Sequence, residues 1–133
     1  MQVRTHLLLP DRWRVELLRR PREGDAWLAA LEALPWAVLL DWASPRPSAG
    51  DLLLVAGLDL AAAELVLKLP PDVRVYAADT SWALLPFGGR AQVLRRAGAR
   101  IERRLVLPHR RRGLPAAPVP YLAALMKAAG LAS

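Results

Sequence analysis

Apolar and polar positions first alternate near the amino terminus, where Trp13, Val15 and Leu17 are interleaved with Arg12, Arg14 and Glu16. That period of two predicts a half-buried strand at or near a sheet edge. After a break at residues 21–24, Leu28, Leu31 and Leu34 recur at helical spacing behind the capping residue Asp25, and Pro35 ends the run. Residues 36–42 (WAVLLDW) are then almost continuously apolar, which is how a strand buried on both faces reads. The Pro, Ser and Gly residues of 43–50 mark a loop, and residues 51–56 (DLLLVA) form a second buried strand. Asp59 caps a helix over 60–69, in which Glu64 and Lys68 make an i,i+4 pair and which Pro70 and Pro71 close. Residues 73–78 (VRVYAA) read as a third buried strand.

Beyond Gly88 and Gly89 the pattern predicts a short helix over 90–97, with Ala91, Leu94 and Ala97 inward and Gln92, Arg95 and Arg96 outward, stopped by Gly98. Ile101, Leu105 and Leu107 alternate with Glu102 and Arg104 as a two-faced strand, in which strict alternation turns Arg103 inward. Pro120 opens a last helix with Leu122, Leu125, Met126 and Ala129 on one face, and Gly130 ends it. Strands alternating with helices in this way predict an α/β fold: a three-layer, Rossmann-like sandwich with a mainly parallel sheet.

Length and composition narrow the picture. At 133 residues the chain is expected to be one domain, 1–133, able to bury a core without disulfides, and with no cysteine all thiol chemistry is excluded. No uncharged apolar run reaches the roughly 18 residues of a membrane helix, and the three leucines before Pro10 are too few for a signal peptide, so no membrane partner and a cytoplasmic location are expected. Arginine outnumbers lysine 17 to 2 and asparagine is absent, the usage of a GC-rich genome. The positions of the arginines therefore say more than their number.

In open α/β sheets ligands bind beyond the carboxyl ends of the strands. The residues standing there by sequence are Asp41, then Gly57 with Asp59, then Asp79, Thr80 and Ser81. Asp79, Thr80 and Ser81 offer a carboxylate and two hydroxyls to a small polar ligand, and equally fit a turn followed by a helix cap. No second carboxylate stands at a spacing that would make an acid and base pair. His6 and His109 are isolated from other ligating residues, so no metal is expected, and none of the serines has the context of a nucleophile elbow. No catalytic residue is assigned, and enzymatic activity is left open.

Charge is divided unevenly. After Leu85 ten cationic side chains face Glu102 alone, a net of +9, while the preceding part carries nine against eleven acids, a net of −2. Arg95, Arg96, Arg100, Arg103 and Arg104 belong to a helix and a strand and fit solvated faces. His109, Arg110, Arg111 and Arg112 stand in a loop with no packing reason to be there, and are the first place to seek a polyanion or acidic partner, with Arg95 and Arg96 beside them.

Residues 60–72 (LAAAELVLKLPPD), 73–79 (VRVYAAD) and 93–108 (VLRRAGARIERRLVLP) resemble the C-terminal half of class I S-adenosylmethionine-dependent methyltransferases, over about half the chain. That resemblance implies a Rossmann-like fold and S-adenosylmethionine as a cofactor. The glycine-rich turn that binds this cofactor after the first strand has no counterpart, because Gly24 is the only glycine before Gly50. The resemblance therefore implies a degenerate member without cofactor, a protein-binding partner, homo-oligomer or regulatory subunit of a catalytic chain. A basic nucleic-acid-binding module using the arginine loop, and a small-molecule-binding enzyme with its site at the strand ends, are the alternative readings.

Overall fold

The computed structural model describes residues 4–19, 21–33, 37–39, 47–57, 59–78, 89–105, 107 and 118–131. Its elements follow in the order β1 (Thr5–Leu8), α1 (Asp11–Arg19), α2 (Pro21–Glu32), β2 (Ala37–Leu39), β3 (Leu52–Val55), α3 (Leu60–Lys68), β4 (Arg74–Ala78), α4 (Gly89–Ala99), β5 (Ile101–Leu105) and α5 (Pro118–Ala128). The five strands form one sheet in the order β2-β1-β3-β4-β5. All four pairings are parallel. Helices cover both faces, as the alternation of elements predicts for an α/β sandwich.

Strand periodicity sorts the core into two layers. Leu7, Leu9, Leu52, Leu54, Tyr76, Ala78 and Leu105 project to one face and meet Trp13, Trp27, Leu31, Tyr121, Leu122 and Leu125 of α1, α2 and α5. Leu8, Leu53, Val55, Val75 and Ala77 project to the other and meet α3 and α4 through Ala62, Ala63, Leu65, Val66, Leu94 and Ala97. Residues i and i+2 share a face in every strand, so a run such as Leu52–Val55 that is apolar throughout feeds both layers.

The first third of the chain departs from its local pattern. Residues 11–19 are helical, and the strand expected at 13–17 is instead α1. Trp13 and Leu17 are four apart, so a helix puts both on the core side while Val15 and Leu18 face solvent. The strand that opens the chain is instead β1, which lies inside the sheet between β2 and β3 and was read in the sequence only as an apolar run too short for a leader. Helix α2 begins at Pro21, not at Asp25, which is exposed within it; proline fits a first helical position because its missing N–H has no partner there. Gly24, which looked like a breaker, allows contact: a Cβ there would lie 2.6 Å from the Leu17 carbonyl oxygen, so α2 can cross α1 closely only without one.

Strand β5 differs from simple alternation at its start. Val75 pairs with Ile101 but Tyr76 pairs with Arg103, leaving Glu102 as the extra residue of a β-bulge. Glu102 and Arg103 then both reach side chains on one face of β4, Arg74 and Tyr76. Arg103 takes the face of Tyr76 and Leu105, as alternation predicts, but is exposed there because β5 is the edge strand.

Candidate functional site

In a doubly wound sheet the ligand crevice opens where the strand order reverses, and in the order 2-1-3-4-5 that point lies between β1 and β3. Two turns border it. After β1, the Pro10 carbonyl accepts the Trp13 and Arg14 N–H groups at 3.0 and 3.2 Å and starts α1. After β3, Gly57 leads to Asp59, whose Oδ1 accepts the Ala62 N–H at 2.8 Å as the N-cap of α3. The two turns touch: a Cβ on Gly57 would lie 2.9 Å from Pro10 Cγ, and both residues are buried. The pyrrolidine ring thus occupies the ground over Gly57 that a ligand's phosphate or carboxylate would need, and Asp59 is engaged by its own helix. The turns after β1 and β3 thus close on each other at Pro10 and Gly57.

The other residues expected at the strand ends, Asp41, Asp79, Thr80 and Ser81, lie outside the described residues, as do His109, Arg110, Arg111 and Arg112. Arg95 and Arg96 are on the solvent side of α4, with Leu94 and Ala97 turned to the core, as the helical period predicts. Among the described residues no group of three or more His, Cys, Asp or Glu side chains could hold a metal ion. No helix of the described residues is long and apolar enough to cross a membrane.

At the opposite, amino end of the sheet the fold brings together a pair that sequence reasoning left apart. His6 of β1 is 3% exposed, and its Nε2 lies 3.0 Å from Oδ2 of Asp51, the residue before β3. Parallel pairing of Thr5 with Leu52 sets these residues, 45 apart in the chain, side by side. The Asp51 carboxylate also accepts the Ser48 N–H at 2.9 Å and the Arg4 N–H at 3.3 Å. Burial by itself raises the Asp51 pKa, but the hydrogen bonds from Ser48, His6 and Arg4 outweigh it and hold the carboxyl below its usual value.

A carboxylate only accepts, so His6 donates from Nε2, while its buried Nδ1 has no hydrogen-bond partner among the described residues. The arrangement joins β1, β3 and the preceding turn, and it stands at the end of the sheet away from the ligand crevice. One signal for it was in the sequence: a carboxylate opening an otherwise apolar strand needs a partner. The identity of that partner was not legible.

Arg100 of the basic region and Arg74 of β4 are engaged in the fold. Arg100 extends its guanidinium across the end of α3, donating to the carbonyls of Val66 at 2.5 Å, Leu69 at 3.0 Å and Pro70 at 2.8 Å. A cation there meets the negative end of the helix and adds a second donor to the Val66 and Pro70 carbonyls, which also accept the Leu69 and Val73 N–H groups. Arg74 bonds Glu102 at 3.2 Å, donates to the Tyr76 hydroxyl and lies 5.3 Å from the centre of that ring.

Comparison with protein-family models, curated proteins and solved structures gives no match.

Proposed function

We propose that this chain is a non-catalytic α/β domain that works through contact with a protein partner or a second copy of itself. The observation that carries the reading is the outer side of α1, where Val15 is 45% and Leu18 85% exposed although the same helix buries Trp13. Three residues apart on a helix, Val15 and Leu18 share a face, and adjacent exposed apolar side chains mark contact surfaces more often than isolated ones do. The close packing of Pro10 over Gly57, where a ligand's phosphate would approach the backbone, supports the non-catalytic half of the reading. The resemblance of residues 60–79 and 93–108 to methyltransferases suggests the partner's class, a catalytic methyltransferase subunit that this chain would regulate.

Light scattering after size-exclusion chromatography, together with copurification from the native host, tests this. A dimer or a stoichiometric partner is expected, lost in the double variant Val15→Glu, Leu18→Glu. A strict monomer that brings down nothing defeats the proposal. Calorimetry with S-adenosylmethionine is expected to be flat, and saturable heat would return the domain to the cofactor-binding class.

A further inference from the structure

Among the described residues four large apolar side chains are exposed, and all four stand on helices of one layer: Val15 (45%) and Leu18 (85%) on α1, Leu28 (42%) on α2 and Val119 (66%) on α5. The other layer, α3 and α4, exposes none, and its exposed positions include Glu64, Lys68, Gln92, Arg95 and Arg96. Charge divides the two layers in the same way. By sequence α1, α2 and α5 hold five basic and five acidic residues and are neutral together, whereas α3 and α4 hold four basic residues against Glu64 alone. The whole chain carries +7. On α2 the exposed charges are of both signs, with Arg22 near its start, Asp25 one turn on and Glu32 at its end.

We infer that the outer side of the α1, α2 and α5 layer is where a second copy of this chain docks, as a two-fold dimer. The inference rests on the contact reading of α1 given above and names its occupant. Exposed apolar side chains mark a contact surface but do not by themselves choose what covers it. Charge makes the choice, because two chains of +7 repel wherever their basic sides meet. The neutral layer is the side on which they can meet without that repulsion, and it is also the side that holds the exposed apolar residues. In a two-fold interface each patch meets itself, so the patch must carry both signs. Here it does: the two-fold runs α2 antiparallel to its copy, which brings the end holding Arg22 to the end holding Glu32. Helices of nine, twelve and eleven residues side by side can supply the roughly 800 Å² that a standard interface takes from each partner.

Analytical ultracentrifugation of the purified full chain, up to about 100 μM and at several salt concentrations, tests the inference. A monomer–dimer equilibrium is expected. Raising salt from about 50 to about 500 mM is expected to tighten it roughly threefold or more, because salt screens the repulsion of two +7 chains and leaves apolar contact in place. Leu18→Glu, at a side chain free of the core, is expected to weaken the dimer at least about tenfold. Arg96→Glu on the other layer is expected to leave it unchanged or to tighten it. Unchanged circular dichroism and melting of each variant assign a loss to contact and not to unfolding. A monomer at every concentration that still retains another protein through Val15 and Leu18 overturns the dimer and leaves the contact reading in place, whereas a monomer that retains nothing overturns both. A dimer that is indifferent to Leu18→Glu, disrupted by Arg96→Glu or weakened by salt forms on another surface, and each of these results also overturns the inference.

Discussion

On the face of the sheet covered by α1, α2 and α5, three large rings meet: Trp13 lies 6.1 Å from Trp27 and 5.4 Å from Tyr121, and Trp27 lies 5.9 Å from Tyr121, centre to centre. On the other face α3 and α4 bring Ala62, Ala63 and Ala97 against Val55, Val75 and Ala77. The first layer is built by helices from both ends of the described chain, and rings that reach across the junction fill it. In the second, α3 and α4 follow successive strands, and alanines let them approach the sheet and each other closely. One layer depends on volume being present, the other on volume being absent.

Opposite substitutions should therefore be harmful on the two faces. Trp27→Ala empties the middle of the ring cluster and is expected to lower stability by about 3–5 kcal/mol in urea denaturation. If that loss is under about 1 kcal/mol, the cluster does not bind the ends of the chain together. On the other face Ala63→Leu adds volume where none is free and is expected to cost about 1–3 kcal/mol. A neutral result there would mean that α3 can move away, and the contrast between the layers would weaken.

A smaller or similar loss, about 1–3 kcal/mol, is expected for Asp51→Ala, which removes the acceptor of His6, Ser48 and Arg4 from the amino end of the sheet. Because the folded carboxyl is held below its unfolded pKa, its stabilisation is complete above the ordinary carboxylate range and is lost as pH falls through the lowered folded value. Melting curves of the wild type and of Asp51→Ala should accordingly converge at acid pH. Parallel curves would show that the carboxylate charge is immaterial. The smallest effect, about 1 kcal/mol, is expected for Asp59→Ala at the N-cap of α3, and Asp59→Asn should recover most of it.

Much of the fold was legible because local pattern and tertiary demand agreed. The buried strands announce themselves by the apolar runs at 52–55 and 75–78, and α3 by its cap at Asp59. The first helix was misread because nine residues with Trp13, Val15 and Leu17 satisfy a period of two as well as the four-residue spacing of Trp13 and Leu17. Only docking of Trp13 against Trp27 and Tyr121 separates the two. The exposure of Arg103 escaped the sequence for a related reason, since alternation gives the face a residue takes, and only the strand order places β5 at the open edge of the sheet.

Class of fold, the order of most elements and the division of charge are properties of neighbours along the chain, and hydrophobic period together with cap and turn chemistry expresses them directly. Strand order, the meeting of His6 with Asp51, the contact of Pro10 with Gly57 and the reach of Arg100 to the end of α3 depend on residues tens of positions apart. No local energy specifies such pairs. They arise when one parallel register buries both faces of the sheet at once, and that register places a carboxylate beside an imidazole, a ring over a glycine and a guanidinium at the end of a helix.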